Sequence, residues 1–89
     1  MLNTETLVKN ALASTLNLSD TKNILTTQRL RDDLQLDSMS SLMFLMKLEE
    51  TIDGFFVDPE TLEMKDLETV SSVVKYIDMQ LLGKNTHVH

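Results

Sequence analysis

The sequence has no cysteine and no tryptophan, one proline and only two glycines. Without cysteine there is no disulfide scaffold, no thiol nucleophile and none of the usual cysteine-based zinc motifs, and the chain fits a reducing compartment. Aromatics make up 4% of a chain that is 42% hydrophobic. Sheet-rich folds lean on aromatic and β-branched residues and on Gly/Pro turns, so this mix predicts helices. No run approaches the roughly 18 apolar residues that a membrane crossing needs. Residues 1–9 carry acidic and polar groups instead of a basic-then-apolar leader. A cytoplasmic location and no membrane partner are therefore expected. Basic residues are also scarce, 8 against 14 acidic, for a net charge of −6. Nucleic-acid affinity rests on neutralising phosphates, so this balance argues against that partner. It suits basic protein partners steered by a long-range field, and it also serves plain solubility.

A length of 89 residues leaves room for one domain with one modest core. Residues 1–83 are expected to form it, with 84–89 as a flexible tail. The first periodic stretch is Thr4–Leu16, where Leu7, Val8, Ala11, Leu12 and Leu16 share one helical stripe opposite Glu5, Lys9 and Asn10. Leu18 is expected to complete that apolar contact. From Asn17 to Asp37 the pattern breaks into polar residues with spaced Leu18, Ile24, Leu25, Leu30, Leu34 and Leu36. So long a connection is unusual in a compact domain, and the spaced leucines predict that it is pinned to the core. A second helix is predicted over Ser38–Asp53, capped by Asp37 and stopped at Gly54. Asp58-Pro59-Glu60 reads as a cap, a first-turn proline and a first-turn acid, and predicts a short helix of one or two turns. A last helix is predicted from about Thr69 to Gly83, with Val70, Val73, Val74, Ile77 and Leu81 facing inward.

The run Leu30-Arg31-Asp32-Asp33-Leu34-Gln35-Leu36-Asp37-Ser38-Met39 before an amphipathic helix resembles the modification site of acyl, aminoacyl and peptidyl carrier proteins. Leu45, Leu48, Glu49, Glu50 and Ile52, then Phe55 through Glu60, then Leu67 through Ile77, are similar to the later helices of that family, in order and with the right spacing. The resemblance implies an all-α, four-helix bundle with three longer helices, one short helix and a long loop after the first. It implies 4′-phosphopantetheine, donated by coenzyme A, on Ser38 of the Asp37-Ser38-Met39 triplet. It also implies that Asp37 helps a phosphopantetheinyl transferase to engage the site. Two departures stand out. Ser40, Met43 and Lys47 lie where fatty-acid-synthesis members carry acids, although Glu49, Glu50 and Asp53 remain. Gln35 replaces a glycine usual in that loop.

The residues support the same chemistry. A serine in a helix's first turn places an added phosphodiester beside unpaired N–H groups and the positive end of the macrodipole, which favours an anion by about 0.3–1 kcal/mol. The ordinary reading of Ser38 is a helix-start serine and that of Asp37 a cap. On the second helix Phe44, Leu45, Leu48 and Ile52 form one stripe, expected to face the core. Met39, Met43, Met46 and Glu50 form another, expected at the surface, where soft methionines suit partner contact. With Lys47 these give a candidate partner surface, alongside the plainer reading of Met39 and Met46 as core filler. An apolar interior lined by Leu45, Leu48, Ile52, Val73 and Ile77 is a candidate shelter for a short acyl chain. Asp32 and Asp33 read as a solvated loop face, and His87 and His89, lacking a third ligand, as a poor metal site.

The function expected is a stand-alone, monomeric, non-catalytic carrier of thioesters for fatty acid, polyketide or nonribosomal peptide biosynthesis. Its partners would be the transferase, a loading ligase or acyltransferase, and downstream enzymes of a specialised pathway. Two rival readings exist: a helical interaction module without a prosthetic group, and a small hydrolase with Ser38 as nucleophile. The hydrolase lacks a nearby histidine, a glycine-rich elbow and an oxyanion loop.

Overall fold

The computed structural model describes residues 3–58, 60 and 62–86, the last four by backbone alone. Three α-helices account for most of it: α1 (Thr4–Leu16), α2 (Ser38–Thr51) and α3 (Val70–Thr86). A single 3-10 turn, Met64–Leu67, precedes α3. Among the described residues no strand forms, only an isolated bridge between Arg29 and Thr69.

The helices begin where side chains replace missing backbone partners. Asn3 Oδ1 accepts from Thr6 N–H at 2.8 Å to open α1. Thr69 and Ser72 open α3 reciprocally: Thr69 Oγ1 accepts from Ser72 N–H at 3.0 Å and Ser72 Oγ from Thr69 N–H at 2.9 Å. Asn17, left-handed at φ 59°, ends α1 and turns the chain outward. Leu18 is therefore exposed and does not extend the α1 stripe as expected. Gly54 at φ 82° turns the chain after α2. Gly83 does not stop α3, which runs on to Thr86. A glycine ends a helix only where it turns left-handed, and a lone glycine inside a helical pattern is tolerated.

The expected fourth helix is reduced and displaced. Asp58 does start a turn, its Oδ1 accepting from Glu60 N–H at 2.9 Å and its carbonyl from Leu62 N–H at 2.8 Å. Among the described residues of this segment, regular structure comes at Met64–Leu67, where Asp66 Oδ2 accepts from Glu63 N–H at 2.8 Å. Pro59 and Thr61 lie outside the described residues, as do His87 and His89.

Helix α1 packs against both α2 and α3, and the 3-10 turn against α3. A bond from the Thr4 hydroxyl to the Asp78 carboxylate joins the start of α1 to the second half of α3. Val8, Leu12, Phe44, Leu48, Val70, Val73 and Ile77 meet in the core with Ile24, Leu30 and Leu36 from the long connection. Each of those three loop side chains gains about 1.5–3 kcal/mol by burial, which offsets the entropy of fixing the segment. The loop is also tied to the start of α3. Leu30 N–H donates to Glu68 O at 3.0 Å, Val70 N–H to Gln28 O at 3.1 Å and Ser71 N–H to Thr26 O at 2.9 Å. Phe55 packs edge-on against Tyr76, with centroids 6.1 Å apart. The Gln80 amide holds both backbone groups of Phe56, at 3.0 and 2.8 Å.

Candidate functional site

The loop delivers the chain to α2 along a fixed path. Asp33 Oδ2 accepts from Arg29 N–H at 2.8 Å, while Asp33 and Leu34 N–H return to Arg29 O at 3.0 Å each. Leu36 N–H then reaches Leu30 O at 2.8 Å, and the Leu36 side chain is buried. Between these two anchors Gln35 takes φ 58°, in the left-handed region that favours glycine. Asp33 is thus a loop staple; Asp32 is exposed and 3.7 Å from Arg29.

Asp37 is extended (φ −85°, ψ −172°), and its Oδ1 accepts from Ser40 N–H at 2.8 Å. Its carbonyl takes the first helical bond, from Ser41 N–H at 2.8 Å. The Ser40 backbone N–H, then the Ser40 hydroxyl, hold the Asp37 carboxyl below its ordinary range. Ser38 is the first residue of α2 and is exposed. An open groove runs beside it, bounded by loop residues between Arg29 and Asp37, by Ser38 and Ser41 of α2, and by Met64, Lys65, Leu67 and Glu68 at the 3-10 turn. Leu36, Met64 and Leu67 give it apolar wall, and Arg29, Arg31, Asp32, Lys65 and Glu68 charged rims.

The two faces of α2 separate as expected. Phe44, Leu45, Leu48 and Ile52 are buried. Met39, Met43 and Met46 are 67%, 47% and 50% exposed, and Glu50 is exposed beyond them. Lys47 is half-buried. The reading as core filler does not hold for Met39 or Met46. Leu42, 54% exposed, was missed; its place three residues after Met39 and four before Met46 was the available signal. The groove's far wall was also missed, because Met64, Lys65 and Glu68 arrive from a segment remote in sequence. The five side chains expected to line an acyl shelter all lie in the buried core, and the groove at Ser38 is lined by others.

Among the described residues no cluster of His, Cys, Asp and Glu could hold a metal ion. Nor is any described helix long and apolar enough to cross a membrane. The family model described as the phosphopantetheine attachment site matches residues 6–77 of the 89. No curated protein matches the chain.

Proposed function

Since this chain belongs to the phosphopantetheine attachment site family, whose members carry 4′-phosphopantetheine covalently, we propose that Ser38 bears the arm and that the protein is a non-catalytic carrier of acyl or aminoacyl groups. The observation that carries this reading is the placing of an exposed serine as the first residue of a capped helix, beside an open groove. The group fits there. The Ser38 hydroxyl reaches solvent, and the first-turn amides and the macrodipole favour a phosphodiester's charge. Asp37 fixes the start of the helix through its cap, and with it the backbone from which the Ser38 side chain projects. Its carboxylate is engaged with Ser40, so the base that takes the Ser38 proton would come from the transferase. When bound, the arm supplies a terminal thiol on which cargo rides as a thioester.

The exposed Met39, Met43 and Met46, with Asp37, Lys47 and Glu50, form the partner surface in this reading. Because no acid occupies Ser40, Met43 or Lys47, that surface favours a dedicated loading enzyme over the basic enzymes of housekeeping fatty acid synthesis. The protein would act as a monomer in the cytoplasm. The test is incubation with coenzyme A, magnesium and a broad-specificity phosphopantetheinyl transferase, read by intact mass. The wild type gains one phosphopantetheine and Ser38→Ala gains none; an unmodified wild type or a modified Ser38→Ala overturns the assignment.

A further inference from the structure

Methionine is among the residue types most often fully buried. Here every described methionine is exposed: Met39, Met43 and Met46 on α2, Met64 on the 3-10 turn and Met79 on α3. The buried core, among the described residues, is made of Val, Leu, Ile, Ala and Phe. The sulfur of this chain therefore lies in reach of solvent, and its chemical alteration leaves the core as it was.

Four of the five lie on the approach to Ser38. Met39 follows it directly, and Met43 and Met46 share the face of Met39 at i+4 and i+7, over roughly the first 12 Å of α2. Met64, at 79% exposure, lines the groove beside Ser38 from the other side of the sequence. An exposed thioether is open to peroxide. With no cysteine in the chain, no thiol competes for that peroxide before the arm is attached.

We infer that Met39, Met43, Met46 and Met64 form a reversible oxidation site, through which hydrogen peroxide slows attachment of the arm without unfolding the protein. The inference rests on Ser38 bearing the arm. Each sulfur attacks one oxygen of hydrogen peroxide and the O–O bond breaks. That oxygen stays on sulfur as a sulfoxide, and the other leaves as water. The sulfur loses two electrons and the peroxide gains them. A thiol-dependent sulfoxide reductase reverses the step: two thiols become one disulfide and the oxygen departs as water. Oxidation puts a polar, hydrated group where a soft apolar one stood. At an exposed position the fold tolerates that change. An enzyme that closes over Ser38 must instead strip those oxygens of water, and burying an unpaired polar group is unfavourable.

The experiment uses the full chain before arm attachment. It is treated with hydrogen peroxide, cleared of peroxide with catalase, mapped by peptide mass, and given to the broad-specificity transferase with coenzyme A and magnesium. All four methionines should carry sulfoxide while the melting temperature stays unchanged. The kcat/KM of arm transfer should fall about tenfold. Reductases for both sulfoxide epimers, with dithiothreitol, should restore it. A variant combining Met39→Leu, Met43→Leu, Met46→Leu and Met64→Leu keeps Met1 and Met79 as its oxidisable residues. Leucine conserves volume and resists peroxide. This variant is compared with its own untreated form, and peroxide should leave its rate where it was. A treated wild type that accepts the arm as fast as before overturns the inference. So does a melting temperature that falls with oxidation, which would make the loss one of folding. A leucine variant that slows as much as the wild type also overturns it, by moving the effect to Met1 or Met79. An untreated wild type that accepts no arm removes the carrier reading itself; normal attachment indifferent to peroxide removes only the oxidation site.

Discussion

Replacing Gln35 with glycine should make the protein more stable. In the left-handed region an L-residue's Cβ crowds the carbonyl oxygen that follows, at a cost of about 1–2 kcal/mol that glycine escapes. Gln35 sits there at φ 58°. Glycine in turn loses more freedom on folding, which returns about 0.4–1 kcal/mol to the unfolded state. The difference leaves a net gain of about 0.5–1 kcal/mol. For a domain of this size that is an increase of roughly 2–8 °C in Tm. Thermal and urea melts of apo protein provide the measurement, and an unchanged urea slope would show that the gain lies in stability and not in the extent of unfolding. Gln35→Val is the opposing control, because branching at Cβ makes the same conformation harder to hold. The side chain of Gln35 is exposed, so its loss removes little packing. A Gln35→Gly variant that melts lower than wild type would refute the reasoning, since only the entropic term would then be acting.

Other substitutions test other links. Asp37→Asn keeps a capping oxygen and loses the charge. Because the folded carboxyl lies below its ordinary value, its charge contributes stability above the unfolded pKa of about 3.9 and loses it as pH falls through the folded one. The gap in Tm between wild type and Asp37→Asn should therefore be present at neutral pH and close below about pH 4. Met43→Glu should melt near wild type and still accept the arm, whereas Leu48→Ala, in the buried core, should lose about 2–5 kcal/mol in urea melts. A Met43→Glu chain that unfolds would place that side chain in the core. Holo wild type should be a poor substrate for housekeeping fatty acid enzymes, and acids at Ser40 and Met43 should raise kcat/KM through a faster encounter; an efficient wild type with no change on substitution would count against the surface as selective.

How far the sequence carried the reading depended on how local each determinant is. Helix α1 was legible to its last residue, because its stripe is strictly periodic and Asn17 follows it. The Asp37–Ser38 junction was equally plain, since a cap and the first residue of a helix are neighbours in the chain. Neither glycine ends its helix: α3 runs through Gly83, and α2 stops at Thr51 with Ile52 extended as its cap, short of the expected Asp53, so that Gly54 at φ 82° only turns the chain that follows. The short helix moved from Asp58 to Met64 because one capped turn at Asp58 does not propagate and the segment packs by tertiary contact to α3. The groove beside Ser38 was not legible. It is built by two segments remote in sequence that are joined through backbone bonds such as Leu30 to Glu68, and side-chain periodicity does not encode those.

Those bonds also set a schedule for synthesis. The chain leaves the ribosome N-terminus first, so Ser38 is made well before Glu68, Val70 and Ser71 exist to hold the loop in front of it. Contacts so distant in sequence form late. Until α3 has begun to emerge, residues 26–36 lack the three backbone bonds to Glu68, Val70 and Ser71, and the serine follows a less firmly held segment. An enzyme that recognises the finished junction would therefore pass over nascent, truncated and misfolded chains and act only on completed ones. The tie between loop and α3 would then separate, for such an enzyme, the folded chain from the unfinished one.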